Sequence, residues 1–263
     1  MVSTRLLALL SAVSAVIAAP VIEREAAVNV SEVDRDLRNG EVLVVGNNRA
    51  EIVTEATWKT LVQSLGVSLG PPELDYDYLK AGDAFAENIV NDTSLDKRDC
   101  NSNYQIVVDR TDRFVDWDVQ MSPVIVGAGS KGMDLIISRE FSVENKVMVS
   151  TGIDATLVKN RLGASLEISY SRSWTTTQGT RIRGTVDAGY TGVVVTQPWT
   201  NRRYGRTFQG CIGSLRQTGT FVADSHEEGS YEGVSWVAGA ITACIKKQTW
   251  IPLSRCHGSG DFR

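Results

Sequence analysis

The 263-residue sequence predicts an all-β domain, and three observations carry that expectation. Asp134 to Val186 holds two runs in which apolar and polar residues alternate with period two, the spacing of a strand and not of a helix. Tyr190–Gln197 is a strongly apolar run, and four shorter ones follow it across glycine-rich joints: Thr207–Leu215, Thr218–Ala223, Tyr231–Trp236 and Gly239–Lys246. No long segment of 3.6-residue period occurs after Asp99. The expected architecture is an elongated antiparallel sheet or a β-sandwich with a long central hairpin, preceded by a small α+β leader.

The chain opens with Arg5, an apolar run from Leu6 to Ile17, and small residues up to Ala19, the pattern of a secretory signal peptide over residues 1–19. That run is too short for a membrane span, and no hydrophobic tail for a lipid anchor follows at the other end. The expectation is a secreted, extracellular product.

Lys97-Arg98 reads as a dibasic site for a processing protease of the secretory pathway, because three features change there. All four cysteines, Cys100, Cys211, Cys244 and Cys256, come after it. Both N-glycosylation sequons, at Asn29 and Asn91, come before it. Residues 20–98 carry 8 Lys+Arg against 15 Asp+Glu, a net −7, whereas residues 99–263 carry 18 against 16, a net +2. The sequence thus divides into a signal peptide (1–19), an acidic propeptide (20–98) and a mature all-β domain (99–263).

Within the propeptide, Glu41–Val45 and Ala50–Val53 flank Gly46-Asn47-Asn48-Arg49 and predict a hairpin. Thr54 is placed to cap a helix, Trp58, Leu61, Val62 and Leu65 fall on one helical face, and Gly66 is placed to end it. Tyr78, Leu79, Phe85 and Ile89 predict a second helix. Such a leader can act as a chaperone, a mask or a plain spacer.

The mature part begins with a strand from Tyr104 to Asp109. Asp109, Asp112, Asp116 and Asp118 then place four carboxylates within ten residues, which invites a metal or acid–base reading. Interleaved Arg110 and Arg113 and a spacing unlike a calcium loop favour solvated turn carboxylates. Gly127–Gly132 lacks the order of a phosphate loop and reads as a turn. In the central stretch Leu135, Ile137, Phe141, Val143, Val147 and Val149 share one face. Leu166, Ile168, Tyr170 and Trp174 share a face of the second run, so the two runs are expected to pair. Trp199, Arg202, Arg203, Tyr204 and Arg206 concentrate cations and aromatics after Pro198, and they are the candidate ligand or membrane contacts, set against the plain reading of an exposed turn.

Catalytic signatures are sparse. The two histidines, His226 and His257, match neither a zinc motif nor a nucleophile elbow, so no catalytic residue, metal or cofactor is assigned. His226 with Glu227 or Glu228, and Arg206 as a phosphate clamp, is the one arrangement suited to a small nuclease-like hydrolase. Trp199 and Trp250 offer a lectin-like alternative. With no Cys-x-x-Cys pair, the cysteines point to two disulfides with connectivity open.

Taken with the dibasic pair, the segments Asp116–Pro123, Ser171–Thr177, Arg202–Arg206 and Ser254–Gly260 make residues 99–263 resemble a family of secreted, kexin-processed fungal effector-like proteins of unassigned activity. The Ser/Thr-faced hairpin is similar, by pattern, to the insertion region of aerolysin-type β-pore-forming toxins. The resemblance implies a non-enzymatic effector or toxin acting on a host or competitor cell-surface component or membrane lipid, without nucleic acid as a partner. Pore formation by Phe141–Trp174 would require a homo-oligomer, since one hairpin cannot close a barrel.

Overall fold

The computed structural model describes residues 37–46, 49–91, 104–137, 141–175, 183–211, 213–231 and 234–263. One compact unit covers them, and all-β is its class: strands dominate, with three helices among the described residues.

Residues 41–91, the expected propeptide, supply β1 (Glu41–Gly46), β2 (Arg49–Thr54), α1 (Glu55–Ser64), β3 (Ser68–Leu69) and α2 (Tyr76–Asn91). The cap forms as its sequence requires, with the Thr54 hydroxyl accepting from the Thr57 amide at 3.2 Å. Then come β4 (Tyr104–Val115), β5 (Val119–Gln120), β6 (Ile125–Val126), β7 (Met133–Ile136), β8 (Ser142–Glu144) and β9 (Lys146–Val149). Next are α3 (Ala155–Leu166), β10 (Ser173–Thr175), β11 (Arg183–Val186), β12 (Thr191–Gln209) and β13 (Arg216–His226). The chain ends through β14 (Glu228–Tyr231), β15 (Val234–Val237), β16 (Gly239–Lys246), β17 (Leu253–Ser254) and β18 (Asp261–Phe262).

Ten strands make one curled sheet whose main path is β2-β1-β16-β12-β13-β9. Its spine is β12, 19 residues long, which changes partners midway. Thr191–Pro198 pairs with β16 on one side and with β5 and β6 on the other, while Trp199–Gln209 pairs with β13 and β4. Pro198, which has no N–H to give a ladder, sits at the change, and its carbonyl accepts from the Asp116 amide at 2.8 Å. The first half is buried on both faces, as an unbroken apolar run requires; the second alternates.

Two expectations need correction. The apolar run Tyr190–Gln197 continues as one strand through Pro198 and Trp199, so Asn201–Arg206 is an interior strand rather than the exposed turn. The central stretch is not a continuous hairpin either. Its base pairs as expected, β7 with β11 and β8 with β10, but β9 leaves to pair with β13, and Ala155–Leu166 forms α3. The reason is local: the Asp154 carboxylate caps α3 by accepting from the Thr156 amide at 2.7 Å, Val158 and Leu162 are buried one turn apart, and Glu167 ends it in the left-handed region at φ 57°. The Ser/Thr alternation from Ser165 onward has the period of a strand, but the i, i+4 pair of Val158 and Leu162 ahead of it has that of a helix.

The segment expected to be the propeptide is built into this sheet. β1 runs antiparallel to β16 through four paired positions, from Val42 opposite Thr242 to Val45 opposite Gly239. Val42, Trp58, Val62 and Val67 pack in one cluster with Val115 and Ala240, and Leu37, Leu43 and Val45 join another with Leu135, Val194 and Ile241. α2 lies on β13 so closely that a Cβ on Gly82 would come within 2.2 Å of the Thr220 hydroxyl.

Candidate functional site

Asp118 follows β4 in the turn to β5, and its side chain is fully buried. A carboxylate there must be met by donors. It accepts from the His257 amide at 2.6 Å and from the Gln197 side-chain amide at 2.8 Å, and His257 Nδ1 lies 3.2 Å from it. The Arg255 guanidinium donates to the Asp118 carbonyl. His257 is held in reach by the C-terminal loop, which the Cys244–Cys256 disulfide (Cα–Cα 5.8 Å) and the β17–β18 pair tie to the sheet. Leu253 and Phe262 anchor that loop in a cluster with Val193, Val195 and Cys244.

Of this pair His257 reaches a pocket of about 370 Å³ lying between residues 39–70 and residues from β4, β12, β16 and the C-terminal loop, with Asp118 buried behind it. Glu55, Trp58 and Lys59 of α1 face Asp116, Trp117 and His257 across it. Trp117, 43% exposed, lies beside Gly70 of the leader and Gly258 of the C-terminal loop, and both glycines have positive φ (103° and 108°). A Cβ at Gly258 would come within 3.0 Å of the Trp117 ring, so the close approach needs glycine there.

Electrostatics set the two carboxyls apart. Asp118, with Glu55 beyond it, holds the His257 imidazole above its ordinary pKa of 6.5, which favours the cation. Glu55 lies 3.7 Å from His257 Nε2 and 2.6 Å from Lys59, and hydrogen bonding to Lys59 lowers its pKa. Burial raises the Asp116 carboxyl, which accepts a hydrogen bond from the neighbouring Trp117 amide at 2.8 Å. Asp118 and the Cys244 and Cys256 sulfurs lie close enough to bind a cation, but the sulfurs are bonded to one another and present no thiolate.

The residues singled out from the sequence are distributed otherwise. His226 is partly buried at the end of β13, its ring edge-on to Trp174 at 6.0 Å and its Nδ1 3.1 Å from the Thr200 hydroxyl; desolvation lowers its pKa. Glu227 accepts from Asn201 at 3.2 Å, Glu228 pairs with Arg172 at 2.5 Å, and Arg206 pairs with Asp109 at 2.8 Å. The nuclease-like set therefore does not converge.

The candidate ligand contacts are mostly structural. Arg202, 8% exposed, grips Asp224 through two bonds of 2.8 Å and donates to the Pro72 carbonyl of the leader at 3.0 Å. Arg203 donates to Ser225 at 2.6 Å and to Tyr170 at 3.2 Å. Tyr204 is fully buried under the Arg110 guanidinium, 3.8 Å above its ring, and its hydroxyl accepts from the Asp75 amide at 3.3 Å. Trp199 is half-buried edge-on to Trp58 at 5.6 Å; Trp250 is 62% exposed. Cys211 is also disulfide-bonded. Asn91 is the last residue of α2. Asn29, Lys97, Arg98 and Cys100 lie outside the described residues.

No sequence motif includes His257, so nothing local marks it as a site residue. The local signals that the sequence does offer are Asp116-x-Asp118 and a histidine next to a disulfide cysteine. No family model, no curated protein and no solved structure matches this chain.

Proposed function

We propose that this chain is a secreted, effector-like binding protein that engages a component of a host or competitor cell surface through the seam pocket, without catalysing a reaction. The supporting observation is the pocket itself, a cavity of about 370 Å³ with aromatic and carboxylate walls from both leader and mature part, within the size range of ligand sites. The hydrolase reading lacks its constellation, since His226, Glu228 and Arg206 each have a different partner. Membrane insertion lacks its element: β8 and β10 pair over three residues, where a crossing strand needs roughly 9–11.

On this reading the leader is a folding partner that stays. Cleavage after Arg98 cuts the chain, and the two pieces remain one particle, because β1 and α1 fill the edge and face that the mature part would otherwise expose. The test presents the purified protein, intact and cleaved at Lys97-Arg98, to intact cells, dye-loaded liposomes and RNA. Saturable cell binding by both forms, lost in Trp117→Ala, with neither dye release nor RNA cleavage, is the expected outcome. Dye release or RNA cleavage by the pure protein would reject it.

A further inference from the structure

The positive excess of residues 99–263 is concentrated at their end. Residues 246–263 carry 4 Lys+Arg against 1 Asp+Glu, Asp261, while residues 99–245 carry 14 against 15. This basic segment is tied down by the Cys244–Cys256 disulfide, by the β17–β18 pair and by the buried side chains of Leu253 and Phe262. Out of it stands the loop Gln248–Pro252, in which Trp250 is 62% and Ile251 49% exposed.

That exposure belongs to a preformed loop. The Gln248 side-chain amide donates to the Trp250 carbonyl at 2.8 Å and to the Pro252 carbonyl at 3.0 Å, and the Thr191 hydroxyl donates to the Gln248 carbonyl at 2.8 Å. The loop's carbonyls are thus satisfied from inside while its two largest apolar side chains face water, so docking them requires little further ordering. Cations flank the tip. Lys247 is exposed, and the β17–β18 register carried one residue further places the exposed Arg263 opposite Pro252; neither forms an ion pair among the described residues. Other exposed apolar residues have acidic surroundings: Tyr76 stands between Asp75 and Asp77, and Val107 and Val108 lie on opposite faces of β4 next to Asp109.

We propose that the Gln248–Pro252 loop docks the protein on a bilayer carrying anionic phospholipid, with the Trp250 ring and the Ile251 side chain at the boundary of headgroups and acyl chains and with Lys247 and Arg263 against the anionic headgroups. An amphipathic indole beside an aliphatic residue suits that boundary, and adjacent cations add attraction to its charge. A sugar ring would stack on Trp250 but needs polar side chains at its edge, and the Gln248 amide N–H groups are already engaged by the loop's own carbonyls. Two side chains reach the interface without crossing it, so no dye leaks, and so small a contact adds to a receptor contact without replacing it. Neither Trp250 nor Ile251 lines the seam pocket, so this proposal and the seam reading stand or fall separately.

The test mixes the intact chain, at lipid excess, with vesicles of phosphatidylcholine alone or of phosphatidylcholine with phosphatidylserine. Binding is read by flotation and by quenching of tryptophan fluorescence with lipid brominated on its acyl chains. Wild type floats with the anionic vesicles, is quenched there and is released by salt. Trp250→Ala lowers partitioning on the order of tenfold and removes the quenching. Lys247→Gln lowers partitioning about fivefold, and Trp117→Ala leaves it unchanged. No flotation with anionic vesicles, equal partitioning into both vesicle types, or undiminished binding by folded Trp250→Ala would each overturn the proposal. So would Trp250-dependent binding to an oligosaccharide or a protein without flotation. If a variant does not fold, the wild-type contrast between the two vesicle types, together with the quenching, decides the question. Trp117-dependent cell binding without flotation would reject lipid docking and leave the seam reading intact; Trp250-dependent flotation of a protein that shows no such cell binding would do the reverse.

Discussion

The chain's two histidines occupy regions built to opposite electrostatic ends. His226 lies within the mature part, against Trp174 and a Thr200 hydroxyl, where lost solvation holds its imidazole neutral. His257 lies in the seam with the leader, where Asp118 and Glu55 favour its cation. Asp116 interacts with His226 while lining the pocket of His257. The contrast teaches that a histidine flanked by acidic residues in sequence, as His226 is by Asp224, Glu227 and Glu228, need not face a site. Its neighbours on the strand point to other partners, whereas the carboxylate that orients His257 comes from 139 positions away.

The contrast can be broken most forcefully from the leader side. Trp58→Ala removes a large buried ring from the cluster that joins leader to mature part, and it should cost about 3–5 kcal/mol in urea denaturation. In the same variant the His257 resonances should shift and those of His226 should not. Asp118→Ala comes next. It leaves Gln197 and the His257 amide without their acceptor and should cost about 2–4 kcal/mol, less than a fully enclosed ion pair because the His257 ring is partly exposed.

Smaller in size but sharper in sign is the pH dependence. A histidine with a lowered folded pKa favours the fold when neutral, so the His226 contribution is present above pH 6.5 and is lost as pH falls through the folded value. A histidine with a raised folded pKa does the opposite: the His257 contribution is present below pH 6.5 and is lost as pH rises through the folded value. Denaturation midpoints should therefore peak near pH 6.5, with His226→Gln flattening the acid limb and His257→Gln the alkaline one. Identical profiles in both variants would erase the contrast. The smallest effect is expected from Glu55→Gln, which removes an exposed partner of His257: stability should stay within about 0.5 kcal/mol. The His257 pKa, followed by NMR titration, should move down.

How much of this was legible in the sequence depended on the range of the interactions. The leader hairpin, the Thr54 cap and the Gly66 stop are set by residues a few positions apart, and they stand where the sequence placed them. The central stretch was legible at its base, where Trp174 meets Val143 and Leu135 meets Gly184, because alternation fixes which face is buried. At its tip α3 prevailed, since the Asp154 cap and the Val158–Leu162 spacing outweigh serine alternation. The site was barely legible. Asp116 and Asp118 stood out as carboxylates, but nothing local distinguishes them from Asp109 and Asp112, which engage Arg206 and Arg110 in exposed ion pairs. Tertiary pairing alone separates the two sets. Arg202 and Tyr204 looked like surface recognition residues for the same reason, because their partners, Asp224 and the leader residues Pro72 and Asp75, lie 22 to 130 positions away.

Residues 37–91 and 104–263 form one fold, and the pocket lies where they meet. The leader carries no cysteine, so only non-covalent contacts can hold it once the chain is cut. Native mass spectrometry of the protein cleaved at Lys97-Arg98 tests this directly. A single particle containing both fragments is expected, with the His257 titration unchanged from the intact chain; a fragment 99–263 that separates, stays folded and keeps that titration would show that the two segments do not form one fold.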